Sequence, residues 1–489
     1  MISTLLLINI LLESLILIIL IRGPGKSRHD APKAPADLSQ EQIQPTPLLG
    51  SGSSSPVPQS APALPHIELN EDFQAALELI EGRGESAFIT GKAGTGKSTL
   101  LRYFRANTKK SVVVLAPTGL AAINIGGQTI HSFFRLRGKL ISNQDIQKSE
   151  KAELFKQIDT IIIDEVSMVR ADLMDGIDLS LRVNRENDTP FGGVQMVFFG
   201  DLYQLAPIVQ GKVLTELFFS RYRDRYFFYA DVLQSMELKY IDLQKVYRQK
   251  EQEFIDLLNN VRVGKADRAV LDVLNSRVMN IQTFSEDDSY VTLTTTRKRA
   301  MARNEAFLKK IREREFIYEA SVTGKFHDSA CPTESKLRLK KGARVMMTKN
   351  DPERRWVNGT LGKISSLTEE EIVVDIQGRS YEVKKEIWEK IAYEYNREQN
   401  RTEERVVATF EQFPLRLAYA MTIHKSQGQT FDKVLIDLGP GAFAHGQTYV
   451  ALSRCTSLGG IVLSQPIRAQ DIICDRGVSE FENVFLRGF

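Results

Sequence analysis

The sequence predicts an α/β protein built on parallel sheets, and three features of the chain support this prediction. A short apolar run at residues 86–90 leads into the glycine-rich segment GKAGTGKS, which a helix-like stretch follows. A second apolar run, Thr160–Ile163, ends in two adjacent carboxylates, at the edge where open α/β sheets bind ligands. The pattern of strand, motif and helix then recurs, which predicts two domains of this kind.

The composition is that of an ordinary globular protein. The chain has 489 residues, 42% hydrophobic and 26% charged, a length that predicts about two to four domains. The formal net charge of +3 is too small to indicate nucleic-acid binding, so any DNA contact has to come from local patches. Cys331, Cys455 and Cys474 form no CxxC pair, which argues against a zinc knuckle or a disulfide framework and fits a reducing compartment.

The N-terminal part of the chain differs from the rest. Residues 4–21 form an apolar run close to the ~20 residues that span a bilayer. Glu13, near its middle, opposes insertion by roughly 2.5–3.5 kcal/mol. Two hypotheses stay open for residues 1–21, a membrane anchor with weak membrane association and a mis-assigned start. Residues 22–66 hold nine of the chain's 17 prolines and are predicted to be a disordered linker.

The glycine-rich segment has the spacing of a phosphate-binding loop, or P-loop. Glycines let backbone N–H groups close around phosphate oxygens at the positive end of a helix. Lys97 is expected to reach the β- and γ-phosphates of ATP, and Ser98 to bind Mg²⁺. A glycine-rich turn without this role is the weaker interpretation, because a strand precedes the segment and a helix follows it. The expected nucleotide-binding residues are Gly91, Ala93, Gly94, Thr95, Gly96, Lys97, Ser98 and Thr99.

The second apolar run provides the acids that ATP hydrolysis needs. Asp164 suits the role of a Mg²⁺ ligand, and Glu165 is placed to orient and deprotonate the attacking water. The alternative, two exposed acids that close a strand, is weaker beside an intact P-loop. The two segments together predict an ATPase.

Further motifs follow in order and indicate which class of ATPase this is. They are PTGLAAINIGGQTIHSFF from Pro117, GDLYQLAP from Gly200, LQKVYRQ from Leu243, AYAMTIHKSQGQTF from Ala418 and GQTYVALSRCTS from Gly446. These segments resemble the successive motifs of superfamily-one helicases. DEVSMVRADLMDGIDLSLR and PFGGVQ resemble the signature of the PIF (petite integration frequency) family, in the branch that includes RecD. The resemblance covers roughly residues 67–489.

The resemblance implies two RecA-like domains with parallel sheets and a small all-β barrel inserted in the second. The first domain is expected at 67–210, with a small strand-separating wedge at 136–156. The second is expected at 211–340 and 413–489. Short alternating strands with Asn-Gly and Gly turns predict the barrel, which resembles Src-homology-three domains and would cover the DNA channel, at 341–412.

The resemblance also implies that the ATP site is divided between the two domains. Arg248 and Arg454 match the family's arginine fingers, so hydrolysis would depend on closure of the two halves. The usual role of a single arginine is a surface salt bridge, and here the motifs favour the catalytic role. Gln204 matches the residue that couples the γ-phosphate to movement, and Gln427 and Gly428 match a motif that contacts nucleotide and DNA. The expected catalytic set is Lys97, Asp164, Glu165, Gln204, Arg248 and Arg454.

The expected DNA contacts lie in both halves. Small polar groups would hold phosphates and aromatic rings could stack on bases. The residues that match strand-contacting motifs are Thr118, His131, Phe133, Thr422, His424 and Lys425. Two basic stretches either widen this track or form a solvated face: the first is Arg297, Lys298, Arg299 and Arg303, and the second is Lys336, Arg338, Lys340, Lys341 and Arg344.

One position departs from the family pattern. Many relatives place a glutamine before the P-loop to read adenine, and aligned from Leu69 that position is Phe73, with Gln74 next to it. Adenine selectivity through this contact is therefore in doubt.

The preferred function is an ATP-dependent DNA helicase that uses ATP and Mg²⁺. The resemblance implies 5′→3′ movement on single-stranded DNA, unwinding at forks, and a cytoplasmic or nucleoid-associated monomer in repair, recombination or replication. Two other hypotheses are a RecD-like motor of an exonuclease complex and a catalytically silent DNA-binding or membrane-tethering protein. The intact catalytic set argues against the silent protein.

Overall fold

The structure of the chain is a computed structural model that covers most of the sequence after the N-terminal segment. The predicted apolar segment 1–21 and linker 22–66 lie outside the described residues. Within the described part, no helix is both long enough and apolar enough to cross a bilayer. The described residues are 69–136, 140–141, 146–209, 211–279, 290–326, 331–396 and 401–486.

The strands are numbered here in chain order. They are β1 Ala87–Gly91, β2 Val112–Ala116, β3 Gln128–Thr129, β4 Thr160–Ile163, β5 Gln195–Phe199, β6 Lys239–Leu243, β7 Val291–Thr294, β8 Glu315–Glu319, β9 Ser321–Thr323, β10 Lys336–Lys340, β11 Arg344–Met347, β12 Leu361–Leu367, β13 Ile372–Ile376, β14 Arg379–Val383, β15 Glu386–Asn396, β16 Arg401–Gln412, β17 Leu415–Leu417, β18 Ala420–Thr422, β19 Val434–Asp437 and β20 Ile461–Leu463.

The helices are numbered in the same way. They are α1 Glu71–Leu77, α2 Lys97–Asn107, α3 Gly119–Asn124, α4 Ile130–Phe133, α5 Ala152–Lys156, α6 Ala171–Arg185, α7 Lys212–Arg221, α8 Asp231–Gln234, α9 Gln252–Arg262, α10 Arg268–Asn275, α11 Arg297–Lys310, α12 Gln447–Leu452 and α13 Arg476–Leu486.

A six-stranded parallel sheet forms the first half of the molecule, in the order β3-β2-β4-β5-β1-β6. Its central strands β1 and β4 are buried along their whole length, which explains their unbroken apolar sequences. Because all its strands run in one direction, the segments that follow β1, β2, β4 and β5 meet at one edge. This sheet and the second parallel sheet described below confirm the predicted α/β class.

The sixth strand corrects the predicted domain boundary. β6 pairs with β1 over five residues, although residues 211–340 were assigned to the second domain. Four of the five β6 residues are partly exposed. The sequence of β6 is therefore mixed in polarity, and it lacks the apolar run that identified the inner strands.

A four-stranded parallel sheet forms the second half, in the order β18-β7-β19-β20. β18 ends at Thr422, so the predicted contact residues Thr422, His424 and Lys425 follow the carboxyl end of a parallel strand. The ends of such strands are the usual position of ligand-binding groups.

The inserted segment is all-β, and its strands extend beyond the predicted range of 341–412. One antiparallel sheet has the order β14-β13-β12-β11-β17, β8 pairs with β10, and the long hairpin of β15 and β16 pairs with β9. The strands thus begin at Glu315 and end at Leu417. The early strands were missed because the sequence of β10, KLRLK, was interpreted as a basic stretch. The hairpin reaches the first sheet, where Tyr393 Oη accepts the Val114 N–H at 3.1 Å.

The predicted wedge at 136–156 is only partly described, because residues 137–139 and 142–145 lie outside the described residues. The described part packs on α6. The Ile141 N–H donates to Asp172 Oδ2 at 2.8 Å, and a Cβ on Gly176 would lie 2.7 Å from Ile141 Cγ2. The wedge is thus anchored on α6 through a close approach that only glycine permits.

Candidate active site

The P-loop follows β1 and leads into α2, as predicted. Gly94 and Gly96 have φ of 89° and 87°, in the left-handed region that L side chains rarely adopt. A Cβ on Gly94 would lie 2.6 Å from Arg248 Cβ, and a Cβ on Gly96 would lie 2.9 Å from Phe73 Cζ. The glycines therefore permit both the loop conformation and the close approach of Arg248.

The side chain of Lys97 forms hydrogen bonds within the P-loop. Its Nζ donates to the carbonyl oxygens of Gly91 at 2.6 Å and Lys92 at 3.0 Å. Thr95 Oγ1 donates to the same Lys92 oxygen at 3.0 Å. Burial lowers the pKa of Lys97, and the carboxylates nearby, Asp201 first, oppose this shift. Ser98 and Thr99 are exposed at the start of α2, where a ligand can reach them.

Asp164 and Glu165 stand at the carboxyl end of β4. The Glu165 N–H donates to Asp164 Oδ1 at 2.9 Å. Burial raises the pKa of Asp164 to about 6. Burial, followed by the charge of Asp164, raises the pKa of Glu165 to about 7. A carboxylate with a pKa near neutrality is suited to take a proton from water.

A chain of hydrogen bonds joins this acid to the second half of the molecule. Gln427 Nε2 donates to Glu165 Oε2 at 2.9 Å and to Gln204 Oε1 at 3.3 Å. Gln204 Nε2 in turn donates to Asp201 Oδ2 at 3.3 Å. One amide from the second half thus holds both the predicted base and the predicted coupling residue, so the orientation of Glu165 depends on the contact between the halves.

Two arginines border the site: Arg248 packs on the P-loop at Gly94, and the charge of Arg454 acts on Glu165. Arg454 is 1% exposed and donates to the Val450 carbonyl oxygen at 3.0 Å and to Ser453 Oγ at 2.8 Å. Arg248 Nη1 donates to the Ser453 carbonyl oxygen at 3.1 Å. Burial, and then the charge of Arg248, lowers the pKa of Arg454 to about 9. Among the described residues neither guanidinium forms an ion pair, and Arg248 is partly exposed whereas Arg454 is buried. Two neighbouring positive charges without an ion pair favour the binding of an anion.

Three residues at this site were missed as individual functional candidates. Arg262 is 9% exposed; its Nη2 lies 3.1 Å from Asp201 Oδ1, and its guanidinium lies 4.1 Å from the centre of the Tyr203 ring. Tyr449 Oη accepts the Ala93 N–H of the P-loop at 3.0 Å. Asp201 and Tyr449 belong to segments already selected as motifs. Arg262 lies on α9 and carries no sequence signal.

The position of the adenine-reading glutamine is buried. Phe73 packs beneath Gly96 in the core, and Gln74 Nε2 donates to the Leu69 carbonyl oxygen at 2.9 Å. The exposed ring of Tyr247 lies beside the loop, where its Oη accepts from Asn70 Nδ2 at 3.2 Å. Phe73 has no group that could form the expected hydrogen bond to adenine.

Most of the predicted DNA contacts lie at strand ends with accessible groups. Thr118 follows β2 and caps α3 by accepting the Ala121 N–H at 3.3 Å. His131 is half-buried on α4. Thr422 Oγ1 accepts the Lys425 N–H at 3.2 Å, and Lys425 is exposed beside half-buried His424. Gly428 follows in the left-handed region with φ of 78°.

Phe133 does not fit the predicted stacking role. It is 8% exposed, and its ring lies 4.9 Å from that of Phe134, 5.4 Å from Phe155 and 5.9 Å from Tyr393. The ring fills the core between the first sheet and the β15–β16 hairpin. Its apolar character gave no means to distinguish a base platform from a core position.

The basic stretches are partly engaged within the protein. Arg299 pairs with Asp437 at 2.9 Å. Arg338 pairs with Glu315 at 2.9 Å and with Glu305 at 3.0 Å. Arg344 is buried, whereas Lys298, Lys336 and Lys341 are exposed. Five of the nine basic residues are exposed, so both predicted roles of the two stretches stay open.

These features together define a P-loop nucleotide hydrolase whose site is completed by a second parallel sheet. A family model described as PIF1-like helicase matches residues 68–271. The ATP-dependent DNA helicase Pif1 of Bdellovibrio bacteriovorus is 37% identical over 410 residues, which span 81% of this chain and 88% of that protein. The human ATP-dependent DNA helicase PIF1 is 33% identical over 448 residues, which span 88% of this chain and 66% of that protein.

Solved structures agree with these relatives. The crystal structure of Bacteroides sp Pif1 in complex with ADP-AlF4 matches with a TM-score of 0.80 at 37% identity, covering 86% of this chain and 98% of that one. Bacteroides Pif1 bound to ssDNA matches with a TM-score of 0.63 over the same shares at 37% identity. The chain belongs to the PIF1-like helicase family, and the family predicted from the motifs is confirmed.

Proposed function

We propose that the chain is an ATP-dependent DNA helicase that moves along single-stranded DNA and unwinds duplex DNA at forks. The observation that carries this proposal is the pair of neighbouring arginines, buried Arg454 and partly buried Arg248, joined through Ser453, with Arg248 packed on the P-loop and neither arginine in an ion pair among the described residues. A γ-phosphate entering the loop would supply the missing negative charge. The relatives named as DNA helicases, and a relative solved with ssDNA, support the choice of substrate.

In the proposed reaction the two halves have different tasks. Backbone N–H groups of the P-loop and Lys97 hold the phosphates. Glu165, oriented by Gln427, accepts a proton from the attacking water. Arg248 and Arg454 stabilise the charge that develops on the γ-phosphate. Hydrolysis breaks the bond between the β- and γ-phosphates, and release of inorganic phosphate then removes the anion that joins the halves. Its release would let the halves separate and so couple chemistry to movement along DNA.

Mg²⁺ is the metal proposed for the site. Ser98 and Asp164 offer a hydroxyl and a carboxylate, the hard oxygen donors that Mg²⁺ prefers. Asp164 is buried with a raised pKa, and a divalent cation would favour its ionised form. When bound, the metal would neutralise charge on the β- and γ-phosphates.

The proposed DNA track runs along the carboxyl ends of both sheets. Thr118 and His131 would contact it from the first half, and Thr422, His424 and Lys425 from the second. Because the contact residues come from both halves, closure on ATP would change the spacing between them. This change in spacing is the movement along DNA that the proposal requires.

The first test separates an ATP-driven motor from a silent DNA-binding protein. Lys97→Ala should abolish DNA-stimulated ATP hydrolysis and unwinding, because the ammonium that neutralises the phosphates is lost. Lys109→Ala, which removes an exposed lysine beyond the end of α2, is the matched control and should keep both activities. Unwinding that survives in Lys97→Ala would refute the mechanism.

The second test addresses direction, which the family suggests to be 5′→3′. Duplexes with either a 5′ or a 3′ single-stranded tail are offered to the full chain with ATP and Mg²⁺. Unwinding should require the 5′ tail. Efficient unwinding of the 3′-tailed duplex would contradict this part of the proposal.

We further propose that the protein works as a monomer in the cytoplasm, associated with the nucleoid in a bacterium. Because one chain supplies both halves of the site, a second copy is not required for hydrolysis. The sequence prediction for residues 4–21 stays open, and flotation of the full chain with lipid vesicles would test it. Light scattering in the presence of a short single strand would test the oligomeric state.

A further inference from the structure

A buried arginine on α9 contacts the segment that follows β5 and carries Gln204. Arg262 is 9% exposed, and its Nη2 and Nε donate to one oxygen, Asp201 Oδ1, at 3.1 Å and 3.3 Å. The Tyr203 ring covers one face of the guanidinium, with its centre 4.1 Å away. The side chain of Arg262 is therefore held by two residues next to Gln204 in the chain.

The C-terminal helix α13 supplies a second acid to the same guanidinium. Glu482 Oε1 lies 3.6 Å from Arg262 Nη2, and Glu482 Oε2 accepts the Tyr203 hydroxyl at 2.9 Å. Burial raises the pKa of Glu482. Burial would also raise the pKa of Asp201, but the charges of Arg262 and Lys97 lower it overall. Asp201 is therefore the stronger partner of Arg262, and Glu482 attaches α13 to this pair.

The pair fixes the orientation of the Gln204 side chain. Arg262 bonds Oδ1 of Asp201, which leaves Oδ2 to accept Gln204 Nε2 at 3.3 Å. An amide whose nitrogen is bonded to a carboxylate turns its oxygen away from it. Gln204 Oε1 accordingly accepts Gln427 Nε2 at 3.3 Å. Since Gln427 also donates to Glu165 at 2.9 Å, the contacts run without a break from α13 to the predicted base.

Stability alone does not account for this buried cluster of charges. Removing charged groups from water costs about as much free energy as their attraction returns, so a well-packed apolar cluster is often equally stable. Hydrogen bonds, by contrast, are directional, and a buried network restricts the positions of the side chains that it joins. The cluster is therefore suited to hold the segment after β5 in one geometry.

We infer that Arg262 is a positioning residue for Gln204: held by Asp201 and Glu482, it sets the orientation of the Gln204 amide and makes ATP hydrolysis depend on the docking of α13. The inference rests on the proposed function and adds a residue that acts through Gln204 and not by touching the nucleotide. It also gives the C-terminal helix a part in hydrolysis.

Arg262→Lys tests the inference because it keeps the positive charge and loses the second donor to Asp201. With saturating single-stranded DNA, kcat for ATP hydrolysis should fall by about ten- to a hundredfold, since misplacing a group by about 1 Å has effects of this order. The affinity for ADP should stay unchanged. Steady-state ATPase assays and nucleotide titration of the full chain measure the two quantities. A wild-type kcat would mean that the charge alone suffices and would overturn the inference.

The matched control is Arg355→Lys in the inserted all-β segment. Arg355 bonds both oxygens of buried Asp351, at 2.7 Å and 2.9 Å, and lies over the Trp356 ring, 4.6 Å from its centre. It thus has the same kinds of neighbour as Arg262, in another part of the fold. This control should keep the wild-type kcat, and a loss as large as that of Arg262→Lys would overturn the inference.

A double-mutant cycle separates positioning from a general structural role. If Arg262 acts through Gln204, Arg262→Lys should cause little further loss of kcat in a Gln204→Ala protein, because the amide that it positions is absent. The same fold-decrease in both backgrounds would overturn the inference and leave the proposed function intact. A wild type that hydrolyses no ATP would instead refute the proposed function on which the inference rests.

Glu482→Gln keeps the inference falsifiable where Arg262→Lys folds poorly. The amide has the shape of the carboxylate without its charge. α13 stays packed through buried Val478 and through Phe481, which stacks on Phe228 with ring centres 4.1 Å apart. We expect a wild-type melting temperature, a severalfold lower kcat, and no further loss in the Gln204→Ala background. An unchanged kcat in Glu482→Gln would overturn the inference.

Discussion

The two parallel sheets contribute to the ATP site in different ways. The six-stranded sheet presents its functional groups directly at strand ends, with the P-loop after β1 and the acid pair after β4. The four-stranded sheet presents Gln427 from a short helical turn after β18, and Arg454 from the segment after α12. The first sheet therefore holds the ligand-binding loop, the base and, after its edge strand β6, Arg248, whereas the second half supplies Arg454.

The difference shows where the control of hydrolysis lies. A nucleotide could occupy the first sheet's loop with its phosphates held, yet one of the two arginines proposed for the transition state, Arg454, comes from the second half. Gln427, which bonds both Glu165 and Gln204, adds the second sheet's influence on the base. Binding should therefore depend mainly on the first sheet, and the rate on contact with the second.

The largest expected effect comes from Arg454→Ala. Loss of a guanidinium at the γ-phosphate should lower kcat by about a thousandfold, while the affinity for ADP changes little. Steady-state ATPase assays with single-stranded DNA, together with nucleotide titration, measure the two quantities. The matched control is Arg468→Ala, which removes an arginine of the same half that pairs with Asp471 at 2.9 Å.

An equal loss of nucleotide affinity and kcat in Arg454→Ala would contradict this division of roles, in which the first sheet binds the nucleotide and the second sets the rate. Since Arg454 is also packed in the protein interior, the melting temperature of the Arg454→Ala variant is compared with that of the wild type. Arg454→Lys, which retains a positive charge, should recover part of kcat.

The next effect separates a core residue from a contact residue within one helix. Phe133→Ala should lower the free energy of unfolding by about 3 kcal/mol or more, because the ring is buried among three aromatic neighbours. His131→Ala should leave stability nearly unchanged and weaken binding of single-stranded DNA. Chemical denaturation and fluorescence anisotropy measure the two outcomes. A Phe133→Ala protein of wild-type stability that loses DNA affinity would restore the stacking hypothesis.

The smallest effect is a pH dependence at the contact between the two halves. His445 is 3% exposed; its Nδ1 accepts the Asp475 N–H and its Nε2 donates to the Leu202 carbonyl oxygen, both at 2.8 Å. Burial lowers the pKa of His445 more than the hydrogen bond to Leu202 and the charge of Asp475 raise it, and the charge of Arg225 lowers it further. The neutral imidazole is thus the form that makes both of these hydrogen bonds.

The direction of the pH effect follows from this shift. The unfolded chain binds a proton at an ordinary histidine pKa of about 6.5 and the folded chain binds it only at lower pH, so stability falls as the pH drops below the unfolded value. The limiting slope is about 1.4 kcal/mol per pH unit. His445→Gln should show a shallower decline of melting temperature between about pH 7.5 and pH 5.5. Identical declines would mean that His445 binds a proton without loss of the contact.

The sequence predicted the first sheet's part of the site closely. β4 and the carboxylates that follow it lie where the sequence placed them, because burial on both faces requires an unbroken apolar strand. The P-loop glycines were also evident, since their spacing reflects a local backbone requirement. Such features depend on neighbours in sequence.

The rest depends on contacts between distant segments. Arg262 pairs with Asp201, 61 residues earlier, and nothing in the sequence of α9 indicates this pair. Phe133 and Phe73 have the same aromatic character whether they face a ligand or the core. The edge strand β6 was misassigned, as were the early strands of the inserted segment, β8 to β10, because partly exposed strands mix polar and apolar residues.

The hydrogen bonds of Lys97 within the loop affect the thermodynamics of nucleotide binding. Since the ammonium bonds the carbonyl oxygens of Gly91 and Lys92, the shape of the loop is supported by hydrogen bonds within the chain. Nucleotide entry is then an exchange of partners and requires little loss of backbone entropy. The net heat of binding should be smaller than the number of phosphate contacts suggests, because bonds within the protein are broken as those contacts form.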